Sequence, residues 1–443
     1  MNHLDDLQSA RLLLSTTSLL IEDAFAHIYD QCTRDEKLQS DRLDACQAQS
    51  FELAFNAARL GAASSLLSSA ALGKGEPSSA AGTLSAQVAL LNFVRTLSGI
   101  LGGLAVQAES LGLARERIFS FWKSEEFTQL EARYGGPKPL ATLGQELIAS
   151  GITRLDLGLS EEQELMRATF ERFTQNVVAP RAEEIHRQDL DIPEEIISAA
   201  AQLGCFGTCI PERFGGLQSD DNPDSLSMIV VTEELSRGSL GAAGSLITRP
   251  EIAARALLAA GTEEQQRSWL PRLASGETLC AISITEPNTG SDVAAVSLRA
   301  TRCDGGWQLN GGKTWCTFAG RSQLLVVLAR TDPDPSLGYR GLSLFLVEKP
   351  ICAGHAFDVE DSAGGGLSGR AIATLGYRGM HSFELAFDNY FVPDANLVGG
   401  EAGLGKGFYA TMAGFAGGRI QTAARASGVM QAAFEAAADY SKQ

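Results

Sequence analysis

Three short segments place hydroxyl, aromatic and guanidinium groups at spacings that could do chemistry. In ISITEPNTGSD (282–292) an apolar run enters a Pro-Asn-Thr-Gly turn and is followed by Ser291 and Asp292. Small residues such as Gly290 let backbone N–H groups approach an anion. Thr285, Thr289 and Ser291 add hydroxyl donors suited to the edge of a flavin or to a pyrophosphate, although the segment alone is also an ordinary turn. In KTWCTFAG (313–320), Trp315 and Thr317 are two apart and so share one face of a strand. There an indole can stack on a planar heterocycle while the hydroxyl bonds an edge nitrogen; a cross-strand core tryptophan is the competing reading. Arg419 and Arg425 lie among Gly414, Gly417 and Gly418, small residues that permit close packing and would leave Arg419 reaching inward. A solvated surface arginine is the alternative.

The elements that must position these groups follow from periodicity. Residues 1–150 are rich in Leu, Ala and Ser, with apolar positions three and four apart, as in Phe93, Leu97, Ile100 and Leu104, so the region is helical. GKGEPSSAAG (73–82) reads as a loop and GGPKP (135–139) as a breaker. From Ser160, an N-cap candidate with Gln163 in the capping-box position, SEEQELMRATFERFTQNVVAP predicts a helix that stops near Pro180. Helical spacing continues to about residue 276. Period two then takes over in TLCAISIT, GWQLNGGKTWCTF, QLLVVLART, GLSLFLVEK and HSFELAFDNYFVP, which read as antiparallel strands. After Gly405 the pattern is helical again. Helices, a β region of about 120 residues and helices in that order give an α+β fold, and no G-x-G-x-x-G supports a Rossmann site.

The 443 residues leave room for about three domains. With 36 basic and 53 acidic residues the formal charge is −17, the wrong sign for tracking a phosphate backbone, so no nucleic-acid or anionic-membrane partner is expected. Eight cysteines without a C-x-x-C pair fit a reducing, cytoplasmic setting. MNHLDDLQSARLLLSTTSLL carries Asp5 and Asp6 and lacks a basic n-region, so it does not read as a signal peptide. ALLNFVRTLSGILGGLAVQA is interrupted by Arg95, so no membrane span is expected.

The order TEPNTGSD, KTWCTFAG, LGYRGMHSFELAFDNYFVP, NLVGG, LGKGF and the Gly-rich helix with Arg419 resembles the acyl-CoA dehydrogenase family over about residues 155–443. The resemblance implies an N-terminal helical domain (155–276), a middle β-barrel-like domain (277–400) and the start of a C-terminal helical bundle (401–443), preceded by a helical extension (1–150). It implies FAD as cofactor, an acyl-CoA substrate, a glutamate that removes the α proton, and electron-transfer flavoprotein as acceptor. Thr285 and Thr317 fall where the family bonds the flavin ring, Trp315 where it flanks the ring, Gly290 and Ser291 at the pyrophosphate, and Arg419 beside the thioester region. EELSRGSLGAAGSLITRPEI (233–252) is similar to the branch that oxidises (2S)-methylsuccinyl-CoA to mesaconyl-CoA. Such a dicarboxylic substrate needs a cation at the pocket's far end. Of Arg237, Arg249 and Arg255 in that segment, the candidate is Arg249, with Ser245 as helper. Another short branched acyl-CoA, or oxygen as acceptor in an acyl-CoA oxidase, remain as alternatives.

One departure matters. The family position just before the arginine that a minority uses for its base is Gly418 here, and Glu401 and Glu435 are poorly placed. The base is therefore expected beyond Gln443, and the chain is expected to be incomplete. The helical extension is expected to cover a surface through which ordinary members form tetramers, leaving a homodimer.

Overall fold

The computed structural model describes residues 3–72, 80–155, 158–221 and 223–443, so most of the expected loop at 73–82 lies outside the described residues. The chain divides into two compact units, Met1–Ser160 with Glu435–Gln443, and Glu161–Phe434.

The first unit is helical. Its long elements are His3–Cys32, Gln47–Leu72 and Ala80–Val106, followed by Arg115–Trp122, Glu125–Tyr134 and Pro137–Ser150. Along His3–Cys32 the buried positions Leu7, Ala10, Leu13, Thr17, Leu20, Ala24 and Ile28 recur every three or four residues, which puts one apolar stripe against the core. The GGPKP breaker sits between two helices as expected, with Gly136 capping the second and a proline in its first turn. The expectation of no membrane-length segment needs correction, because Gly82–Val106 is long and apolar enough to cross a bilayer by length and composition. Here Phe93, Leu97, Ile100, Leu101 and Leu104 of that helix lie buried in the helical core.

The second unit opens with helices. Glu161–Phe173 runs into a wider π turn at Thr174–Val178, and Pro180 stands in the first turn of the next helix, Ala179–Gln188. Pro180 thus opens a helix where the sequence suggested a stop, because a proline there lacks only an N–H that would have no partner. The helices Glu194–Gln202, Leu226–Gly238, Thr248–Ala260 and Glu263–Ala274 follow. The last is capped by Thr262, whose side chain accepts from Gln265 N while Gln265 returns a bond to the Thr262 backbone.

Eight strands then form one sheet: β1 (Cys280–Ser283), β2 (Arg299–Cys303), β3 (Gly306–Thr317), β4 (Leu324–Arg330), β5 (Leu342–Glu348), β6 (Ala356–Glu360), β7 (Gly366–Ala371) and β8 (Ser382–Pro393). Their order is β1-β4-β2-β3-β8-β7-β6, with β5 also paired to β4. The fold is α+β, as expected. The expectation of purely antiparallel strands fails twice: β1 pairs with β4 in parallel, Cys280 opposite Leu324, and β2 meets β4 in parallel at Arg299 and Arg330. The chain between β1 and β4 contains the β2–β3 hairpin, so it returns to β1 in the same direction rather than by a tight turn. LLVVLA of β4 and LSLFLV of β5 are buried throughout, so the period two expected of these two segments does not appear: both of their faces are covered.

The long helix Gly407–Tyr440 completes the unit as far as Phe434. Its buried stripe is Gly407, Ala410, Thr411, Gly414, Gly417, Gln421, Ala424 and Gly428. The glycines are needed for close approach. A Cβ on Gly414 would lie 2.6 Å from the Ile252 carbonyl oxygen, and one on Gly417 would lie 2.4 Å from Arg255 Nε.

Candidate functional site

A cavity of about 310 Å³ collects side chains from four elements of the second unit. The end of β1 supplies Ile282, Ile284 and Thr285, and the end of β3 supplies Thr314, Trp315 and Thr317. Helix Thr248–Ala260 supplies Thr248, Arg249 and Ile252, and the long helix supplies Phe415, Gly418, Arg419, Thr422 and Arg425. Five of the expected site residues, Thr285, Trp315, Thr317, Arg249 and Arg419, therefore line one cavity.

The two β segments are joined by a buried ion pair. Glu286 accepts from Lys313 Nζ at 2.9 Å, from Ser297 N and Oγ at 2.9 and 2.7 Å, and from Leu298 N at 2.8 Å. Lys313 also donates to Ile284 O at 2.8 Å, and Thr314 N donates to Thr285 O at 2.9 Å. Burial pushes the Glu286 carboxyl up, but Lys313 and the Ser297 and Leu298 donors outweigh it and hold it below its ordinary value. Burial moves Lys313 the other way, below the usual lysine range, although Glu286 opposes this. Neither residue was singled out from the sequence, where a lysine beside Thr314 looks like a surface charge.

Trp315 does not sit in simple alternation with Thr317. Cys316 pairs with Phe383 and Lys313 with Leu385, so Thr314 and Trp315 face the single residue Glu384 across a β-bulge. Trp315 has φ +57°, a conformation a bulky side chain rarely adopts, and the residue is 56% exposed at the cavity. The core-tryptophan reading is excluded. Thr317 Oγ1 is bonded to Ser382 Oγ at 2.8 Å, which fixes its hydroxyl at the strand edge.

Arginines dominate the opposite wall. Of the three in the segment around Arg249, Arg237 is paired with Glu171 and Glu234, and Arg255 with Glu251. Arg249 has no acidic partner among the described residues: it donates to Ser245 O at 2.9 Å and to the Tyr377 hydroxyl at 3.1 Å. Arg425 donates to Ser245 Oγ at 2.7 Å, to the Tyr377 hydroxyl at 3.4 Å and to Thr422 Oγ1 at 2.8 Å. Arg425 Nε and Thr248 Oγ1 are buried without a partner. Burial lowers the Arg425 pKa; Tyr377 opposes this and Arg249 adds to it. Burial raises the Tyr377 phenol, but the two guanidiniums and Ser245 hold it below its ordinary value. Arg419 lines the same cavity, as expected, and stays exposed there.

Three expected residues lie outside the lining. Ser245 does not line the cavity; it stands behind it and orients Arg425. Gly290 and Ser291 lie on an exposed turn, just after the Glu286–Thr289 bridge. Among the described residues no Asp, Glu, His or Cys lines the cavity. Glu251, buried behind Gly417, has its oxygens engaged by Arg255 and Gln421. Tyr377 and the role of Arg425 were missed; the signal available was a tyrosine between glycine and arginine in LGYRG, and Tyr377 has φ +63°.

Comparison with known proteins agrees with this geometry. Residues 160–277 match the acyl-CoA dehydrogenase N-terminal domain, 281–390 its middle domain and 405–443 its C-terminal domain. The chain belongs to the acyl-CoA dehydrogenase family. A (2S)-methylsuccinyl-CoA dehydrogenase from Cereibacter sphaeroides is 46% identical over 65% of this chain and 50% of its own length. An acyl-CoA dehydrogenase from Bacillus subtilis (strain 168) is 35% identical over 64% of this chain and 69% of its own. The structure of butyryl-CoA dehydrogenase from Megasphaera elsdenii superposes with a TM-score of 0.57 at 30% identity, covering 65% of this chain and 71% of that one. The chain thus spans half to about two thirds of the length of these curated relatives. The family is FAD-dependent. The cavity suits a flavin: an exposed indole at one side, threonine hydroxyls at the strand edges, and buried polar atoms left without partners.

Proposed function

We propose that this chain supplies the flavin and substrate pocket of an enzyme that dehydrogenates a short branched dicarboxylic acyl-CoA, (2S)-methylsuccinyl-CoA to mesaconyl-CoA. The observation that carries the reading is the set Arg249, Arg419 and Arg425 around one cavity, none with an acidic partner among the described residues. Guanidiniums grouped without a counter-charge call for a bound anion, because the half-buried cations Arg249 and Arg425 are costly until they are paired, while Arg419 is exposed. A free carboxylate at the far end of the acyl chain answers Arg249 and Arg425, with Arg419 nearer the flavin edge. The flavin, when bound, accepts the hydride from the β carbon. Trp315, Thr285 and Thr317 would hold that group, and Arg249 and Arg425 would hold the acyl chain by its charged end.

The abstraction of the α proton needs a base that the cavity lining does not supply, and a glutamate from outside that lining is part of the proposal. The same holds for electron-transfer flavoprotein as acceptor, a homodimeric assembly and a reducing, cytoplasmic setting; all eight cysteines are free. The experiment is a binding panel of CoA thioesters on the flavin-loaded chain. Methylsuccinyl-CoA should bind more tightly than a neutral thioester of equal size, and equal affinities would favour a neutral branched substrate. Peroxide production by an active, flavin-loaded form of the protein with substrate alone would identify an oxidase instead.

A further inference from the structure

A second cluster of chemistry-bearing side chains lies away from this cavity. Asp189, His355 and His381 present ligand atoms that all lie within 4.8 Å of one another. We propose that they bind a divalent metal ion of the zinc class. The donor set is two imidazoles and one carboxylate, which suits zinc and its neighbours in the first transition row rather than calcium or magnesium.

Three separate elements bring the ligands together. Asp189 caps the helix Ala179–Gln188 in the left-handed conformation, φ +55°. His355 precedes β6, and His381 stands one residue before β8. The two imidazole rings have centroids 4.1 Å apart. His381 is buried, whereas His355 is exposed. Metal–ligand bonds near 2.1 Å place tetrahedral ligand atoms roughly 3.4 Å apart, so a small rotation of His355 closes the set.

His381 is also oriented as a ligand should be. Its Nδ1 is bonded to Asp191 Oδ1 at 3.1 Å, and Asp191 Oδ2 accepts from Gly354 N at 3.2 Å. A carboxylate behind one ring nitrogen fixes the tautomer and aims the other at the ion. That other nitrogen, Nε2, faces Asp189 Oδ1 at 3.2 Å, and an ion would take the place of the proton between them. Arg378 Nε, 3.4 Å from Asp189 Oδ1, competes for the same oxygen. A cavity of about 240 Å³ lined by Asp191, Gly354 and His381 lies beside the buried ligand.

The consequence reaches the flavin pocket through the backbone. His381 O accepts from Phe318 N at 2.8 Å, and the next residue, Ser382, holds the Thr317 hydroxyl. A bound ion would clip this strand edge to the helical part of the unit.

The test uses the full 443-residue chain, stripped with a chelator and titrated with Zn²⁺ alone. One equivalent is expected, with a raised Tm. His355→Ala, an exposed position, should remove stoichiometric binding without loss of fold, and Asp191→Asn should weaken it by roughly 10- to 100-fold. Co²⁺ in place of Zn²⁺ should give the visible bands of a four-coordinate ion, lost in His355→Ala. Less than one equivalent bound by the wild-type chain, or unchanged affinity in His355→Ala, would overturn the proposal.

Discussion

Arg425 donates a 2.7 Å hydrogen bond to the hydroxyl of Ser245, a residue 180 positions earlier in the chain. Tyr377 accepts from the same guanidinium and from Arg249, so one phenol and one serine hold two like charges side by side. On the proposed reading, the substrate's carboxylate completes this arrangement.

Arg249→Leu and Arg425→Leu should each abolish the preference for a dicarboxylic over a neutral thioester. A charge-assisted bond to a carboxylate contributes about 1.5–3 kcal/mol, so affinity for methylsuccinyl-CoA should fall by about one to two orders of magnitude, with the neutral analogue almost unaffected. Calorimetric titration of both ligands reads the difference. An equal loss for both would place the arginines elsewhere in recognition.

The 443-residue chain should not turn over methylsuccinyl-CoA with an artificial electron acceptor, because no carboxylate, imidazole or thiol lines its cavity. Photoreduction of the bound flavin serves as the control that the cofactor is competent. Turnover at rates ordinary for the family would show that a residue of this chain is the base.

Trp315→Gly separates strain from function. The positive φ at Trp315 costs roughly 1–3 kcal/mol, while glycine in a strand costs about 0.5–1 kcal/mol. The residue is 56% exposed, so more than half of its surface has no burial to lose. The flavin-free variant should melt no lower than the wild-type chain, yet retain flavin poorly. A clear drop in Tm would mean that the indole is structural.

The Glu286–Lys313 pair sets an acid limit. The folded pKa of Glu286 is held below its ordinary value, so the unfolded chain binds more protons between the two values. Its contribution is present above the ordinary carboxylate pKa and is lost as pH falls through the depressed one. Glu286→Gln should flatten the acid limb of a Tm-versus-pH curve. At neutral pH, Glu286→Ala should cost about 3–5 kcal/mol by leaving Lys313 buried and unpaired, and Lys313→Met in that background should recover most of it.

Much of the site was legible because its parts are contiguous. Thr285, Trp315 and Thr317 stand in two short segments and line one cavity, although a bulge rather than a strand's period of two places Trp315 there. The bulge was not legible, since Lys-Thr-Trp-Cys-Thr reads as an unbroken strand and only the register against Phe383 and Leu385 reveals the extra residue. Arg249 could not be told from Arg237 and Arg255, because what separates them is which one meets a carboxylate, a property of helix facing. Arg425 and Tyr377 depend on contacts 48 residues apart, and the Asp189–His355–His381 cluster on three distant elements. The helices were easy to find but their ends were not: Pro180 is compatible with a stop or a start, and the π turn before it decided the matter.

The glycine stripe on the long helix bears on how such a pocket can change. A methyl group on Gly428 would meet the Glu233 carbonyl oxygen at 2.2 Å, and one on Gly414 the Ile252 carbonyl at 2.6 Å. Any side chain there must push the whole helix outward, carrying Arg419 and Arg425 with it. Natural variants with altered acyl preference are therefore expected to arise from positions that never touch the ligand, and selection for a longer or shorter substrate would be recorded in the thickness of a helix contact.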